Sequence, residues 1–134
     1  MIAVLLLMTS SFTSNTGSLQ YYKGTIGNNS KIQMNLELNG TSMKGSFIYE
    51  ESGEVFVLNG RISESSQSVI LNVLNDKDAN VAKIQGHYYT NDLEEITAIK
   101  GAYIDLKTNQ RKRLDLEKVA EFIARGEQKV VGSY

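Results

Sequence analysis

The sequence predicts a mainly β protein: an antiparallel meander closing into a small barrel of about eight strands, with one C-terminal helix before a last strand. Three observations carry that prediction. A strand–polar tip–strand unit at residues 44–62 (KGSFIYEESGEVFVLNGRI) returns at residues 85–103 (QGHYYTNDLEEITAIKGAY), and one offset separates both Gly45 from Gly86 and Gly60 from Gly101. Clean apolar/polar alternation recurs in short segments bounded by Gly, Asn, Asp and Ser, the mark of strands with one face in a core. Glycines recur inside those segments, where they let a sheet coil tightly enough to close.

The elements follow in chain order. Residues 2–8 (IAVLLLM) form an apolar run followed by small polar residues. That pattern fits a secretory signal peptide, so residues 1–18 are read as an export signal and residues 19–134 as one domain. The run is too short to span a bilayer, which needs about 20 apolar residues. Residues 19–26 make a first strand. Residues 31–38 alternate Ile32, Met34, Leu36 and Leu38 against Lys31, Gln33, Asn35 and Glu37. Asn39-Gly40 then predicts a type I′ hairpin. Residues 41–50 place Met43, Gly45, Phe47 and Tyr49 on one face, and residues 54–62 return with Phe56, Leu58, Gly60 and Ile62 on one face. Strands at 69–74, 81–89 and 93–106 follow, with a short one at 112–114. Leu116, Val119, Ala120 and Ile123 then fall at helical spacing, with Asp115 as cap and Gly126 as stop, predicting a helix. Residues 128–134 return to strand spacing.

Composition narrows the function classes. A chain of 134 residues suits a single domain. Its net charge of −1 creates no global field for nucleic acid or anionic membrane. The absence of cysteine removes disulfides, thiolate chemistry and a lipid-anchoring cysteine.

The run Tyr22-x-Gly24-x-Ile26, Ile32-x-Met34-x-Leu36, Gly45-x-Phe47-x-Tyr49, Leu58-x-Gly60-x-Ile62 resembles a strand pattern of exported bacterial proteins of unassigned function. The strand count with a late helix is also similar to lipocalins, and distantly to avidin-type barrels, although the lipocalin Gly-x-Trp signature is missing. The lipocalin resemblance implies carriage of a small apolar ligand inside the barrel.

Two sets of candidate site residues emerge. Tyr22, Phe47, Tyr49, Phe56, Tyr88 and Tyr103 share the inward phase; they either fill the core or line a ligand cavity. Glu50, Glu51 and Glu54, and then Asp92, Glu94 and Glu95, cluster at the tips of the two long hairpins. Placed at one end of a barrel, they would offer an acidic surface to a basic partner protein; placed in water, they are solvated turns. No cofactor motif is read, and no metal site: Asp76, Asp78 and Asn80 begin like a calcium loop, but Val81 stands where glycine and His87 where glutamate is needed. His87, the single histidine, falls on the outer face without a catalytic partner. Lys107, Arg111, Lys112 and Arg113 make a local basic patch with only Tyr103 nearby, short of what nucleic-acid binding requires. The expectation is an exported, non-enzymatic protein that binds another protein, of inhibitor or immunity type, with a lipocalin-like carrier as the alternative.

Overall fold

Alternation is obeyed from strand to strand. In the computed structural model, residues 18–120 are described, and they fold into eight strands: β1 (Ser18–Ile26), β2 (Ser30–Asn39), β3 (Ser42–Tyr49), β4 (Val55–Ser63), β5 (Ser68–Leu74), β6 (Asn80–Thr90), β7 (Ile96–Asp105) and β8 (Arg111–Val119). Each pairs antiparallel with the next, and β8 pairs back onto β1, giving a closed meander barrel. Closure leaves no sheet edge open to a passing strand.

The inward residues form one core, including Ile32, Met34, Leu36, Leu58, Leu71, Val73, Ile84, Leu114 and Leu116. Outward positions carry Lys23, Gln33, Asn35, Lys44, Asn59, Arg61, Asn72, Lys83, Lys100 and Asp115. A transmembrane barrel shows the reverse arrangement, with an apolar outer band. Among the described residues no helix is long and apolar enough to cross a membrane.

Glycine sets the curvature of the wall. Gly24, Gly45, Gly60, Gly86 and Gly101 all sit in the inward phase, and a Cβ on any of them would run into a backbone carbonyl of the neighbouring strand. The bare backbone there lets adjacent strands approach closely and bend. The two copies of the long hairpin do not share a register: Gly60 faces Met43 in the first, whereas its counterpart Gly101 faces Gly86 itself.

Two expectations need correction. The C-terminal helix is not formed where it can be seen: residues 111–119 are β8, with Leu114 and Leu116 fully buried and Asp115 on the outer wall. Barrel closure is the reason, because without β8 both β1 and β7 would be open edges. Leu116 and Val119 carried the helical spacing, but Leu114-x-Leu116 equally fits a strand. Asp115 lies 3.6 Å from the Lys100 ammonium across the sheet and caps nothing. The rest of that predicted helix, the last strand at 128–134 and residues 1–17 of the predicted signal (1–18) lie outside the described residues, while Ser18 begins β1. The second correction is the β2–β3 turn. Asn39 pairs with Ser42, so the central residues are Gly40 and Thr41, and only Gly40 has positive φ (67°). That is the type II′ pattern, which matches the strand twist as well as type I′ does.

An up-and-down meander assigns every turn to an end by parity. The β1–β2, β3–β4, β5–β6 and β7–β8 turns share one end, called here the four-turn end. The β2–β3, β4–β5 and β6–β7 turns share the opposite, three-turn end, where Ser18 and Val119 also lie.

Candidate functional site

The six aromatic candidates all reach the interior but divide into two groups. Phe47 stacks on Phe56 with centroids 5.2 Å apart and meets Tyr49 (5.4 Å) and Tyr103 (6.4 Å) edge to face. These four lie toward the four-turn end. The Tyr103 hydroxyl donates to that of Tyr49, and burial pushes both phenols above their ordinary range. Tyr22 and Tyr88 lie toward the other end. The Tyr22 hydroxyl donates to the Ile96 carbonyl at 3.3 Å. Burial, helped by the Glu95 carboxylate, pushes Tyr22 up to about 12.

Between the two groups the barrel is filled. Ile32, Met34, Leu58, Val73, Ile84, Leu114 and Leu116 have no surface that water can reach, 0% in each case. A cavity large enough for a ligand would leave such surface on its walls. Side chains fill small barrels in this way. Among the described residues, shallow depressions remain at the two mouths and on the outer wall, one beside His87 and one beside Lys44.

At the four-turn end, Tyr49, Phe56, Lys31, Lys112, Glu51 and Glu54 line a depression of about 420 Å3. Alternation explains the inward charges: Glu54 continues the phase of Phe56, and Lys112 that of Leu114. Asp105 continues the phase of Tyr103. Its carboxylate accepts backbone N–H bonds from Lys107 (2.8 Å) and Thr108 (3.1 Å). Those bonds, with Thr108 first, hold its carboxyl below the usual range.

At the three-turn end, Leu38, Ile62, Tyr88 and Ile96 floor a depression of about 400 Å3 whose polar lining includes Glu64, Gln67 and Glu94. The β6–β7 loop beside it is held by one side chain. The Asn91 carbonyl oxygen accepts from the N–H groups of Leu93 (2.9 Å) and Glu95 (3.0 Å), and its amide donates to the Glu95 carboxylate (3.1 Å). That bond, and the Lys118 ammonium 3.5 Å away, hold the Glu95 carboxyl below its usual range. Leu93, at the loop's tip, is 77% exposed.

Parity separates the acidic tips. Glu50, Glu51 and Glu54 lie on the four-turn end, and Asp92, Glu94 and Glu95 on the three-turn end. The single acidic surface expected from sequence is therefore two surfaces on opposite sides of the molecule. Glu50 pairs with Lys23 at 3.9 Å and Glu95 with Lys118. Among the described residues Glu51, Glu54, Glu64, Asp92 and Glu94 make no ion pair.

The remaining candidates are solvated. His87 is exposed on the outer wall between Ser68 of β5 and Lys100 of β7, and the Ser68 hydroxyl bonds that of Ser66 at 2.8 Å. Asp76 and Asp78 belong to a β5–β6 loop organised by Asn75, whose side chain accepts from Lys77 and Ala79. This loop repeats the Asn91 arrangement. The basic patch surrounds the β7–β8 turn. Tyr103, buried inside the barrel, is the cross-strand partner of Lys112 and does not share the outward face of Arg111 and Arg113.

Sequence reading missed Glu64, Gln67, Leu93, Asp105 and Lys112. Asp105 and Lys112 each sit two residues from an inward residue, Tyr103 and Leu114, so alternation within the strands read from sequence already gives their face. No protein-family model matches the chain, and neither does any curated protein or solved structure.

Proposed function

We propose that this is an exported, non-enzymatic binding protein that engages another protein through its three-turn end. One observation carries the reading. Gln67 (φ 51°) and Glu94 (φ 62°) hold left-handed backbone conformations, and both line the same depression. Long side chains are disfavoured in that region, at about 1–2 kcal/mol per residue. Strained residues of this kind gather at binding and switch sites because the surrounding structure fixes them there. Beside them, Leu93 stands in water on a loop braced by Asn91. Glu64 and Glu94, which make no ion pair among the described residues, line the depression with its apolar floor, and Asp92 lies in the adjoining β6–β7 loop. The partner that fits is a protein surface with an apolar socket for Leu93, rimmed by lysine or arginine. A filled barrel centre supports surface binding over carriage of an apolar ligand.

Affinity capture from the exported fraction of the native source, with wild-type protein and Leu93→Ser in parallel, tests this. One protein should be retained by wild type, released by moderate salt and lost with Leu93→Ser while the fold is unchanged. Equal retention by both proteins would refute the role of this end.

A further inference from the structure

The four-turn end has a depression of its own. We propose that its mouth binds a small zwitterion, an amino acid or short peptide, with the ligand's carboxylate at Lys31 and Lys112 and its ammonium at Glu51 and Glu54. The ligand's body would lie over the rings of Tyr49 and Phe56.

Three features of the mouth support this. First, it is a concave space of about 420 Å3 with an aromatic floor and a few converging polar groups, the general form of a small-molecule site. Second, the charges are sorted by sign. The cations Lys31 and Lys112 come from β2 and β8, whereas the carboxylates Glu51 and Glu54 come from the β3–β4 hairpin. The division holds for the lining of the depression and not for the whole ring of turns: Lys77 sits between Asp76 and Asp78 in the β5–β6 loop, and Asp105 lies at the β7–β8 turn. Third, the opposite charges lining the depression do not pair with one another. No ion pair among the described residues joins Lys31 or Lys112 to Glu51 or Glu54. A solvated rim of mixed charge has no need of such sorting around an aromatic floor. Two unpaired and oppositely charged walls complement a ligand that brings one charge of each sign. A saccharide would use the floor and the hydroxyls of Ser30 and Ser52, but a neutral polyol gains nothing from walls of opposite sign.

The whole protein, titrated with L-phenylalanine and glycyl-L-phenylalanine while backbone amide NMR shifts are followed, provides the test. Shifts should concentrate at Lys31, Glu51, Ser52 and Lys112, with a Kd of about 1 mM or below. N-acetyl-L-phenylalanine and L-phenylalaninamide each lack one charge and should bind about tenfold more weakly. Glu54→Gln and Lys112→Met should weaken L-phenylalanine to a similar degree. Both positions are exposed, and the same spectra check that the variants fold. Binding of N-acetylglucosamine without binding of the zwitterions would overturn the proposal. So would shifts that survive both substitutions, or no shifts at all. Leu93→Ser should leave this binding untouched, so failure here and failure at the three-turn end are distinguishable.

Discussion

The two ends of this barrel stand on one wall and differ in how their turns are made. At the four-turn end the left-handed positions are Gly27, Gly53, Asp78 and Asn109, the residue types that tolerate that conformation. At the three-turn end they are Gly40, Gln67 and Glu94, and the last two belong to the depression there. The four-turn end thus builds relaxed loops around an aromatic floor, with cations from β2 and β8 and carboxylates from the β3–β4 hairpin. The three-turn end holds strained polar side chains and an exposed leucine around a smaller apolar floor. Loop conformation free of strain indicates turns chosen for folding. Strain confined to one depression indicates residues kept for what their side chains do.

The strongest way to break this comparison is to remove the floor of one end. Phe47 is buried and touches three other rings. Phe47→Ala should cost about 3 to 5 kcal/mol in urea denaturation. If the ends are separable, the local damage falls on the four-turn mouth, and amide shifts near Tyr22 and Ile96 change least. A uniform change across both mouths would show that the ends are not separable. Next in size is the shared wall. A Cβ at Gly60 would meet the carbonyl of Ile70, so Gly60→Ala should destabilise by about 3 kcal/mol and loosen both ends together.

Alkaline pH sharpens the comparison from the other side. Tyr22 ionises near its ordinary value of 10.0 in the unfolded chain and at about 12 in the fold. The folded state therefore holds the phenol proton more tightly. The Tyr22 contribution to stability is fully present below pH 10, declines as pH rises toward 12, and levels off once folded Tyr22 itself ionises. The loss is about 2 to 3 kcal/mol, read from denaturation at successive pH values. Tyr22→Phe should remove this part of the decline. The part that remains belongs to groups such as Tyr49 and Tyr103 of the four-turn end, whose phenols are also raised.

What sequence could and could not reveal follows from the same geometry. The inward set was legible because alternation is a local signal: Ile32, Met34, Leu36, Phe47, Leu58 and Tyr88 each declare their face through their neighbours. Strand count alone then implies which turns share an end, yet the two acidic tips were read as one surface because the repeat invited them to be treated as equivalent. The second copy starts three strands after the first, β6 after β3, and an odd offset inverts the direction. Leu116 and Val119 were ambiguous because their spacing satisfies a helix while Leu114-x-Leu116 satisfies a strand, and only the need to cover β1 and β7 decides. The strain at Gln67 left no such signal, whereas that at Glu94 belongs to a local loop that Asn91 organises as Asn75 organises the β5–β6 loop, with Asp78 at the equivalent position.

The smallest predicted effect is the most discriminating. Glu94 and Asn109 both adopt left-handed φ, 62° and 64°, in loops at opposite ends. Asparagine tolerates that region, so Asn109→Gly should change stability by no more than about 0.5 kcal/mol. Glutamate does not, so Glu94→Gly should stabilise by about 0.5 to 1 kcal/mol as the strain is released. If Glu94 is kept for its carboxylate, the same substitution should weaken capture of the partner and leave amino-acid binding at the four-turn mouth unchanged. Gain of stability joined to loss of partner binding is the expected signature of a residue held against its backbone preference. Gain of stability with binding intact would make Glu94 an ordinary turn residue and return the three-turn end to the same footing as its opposite.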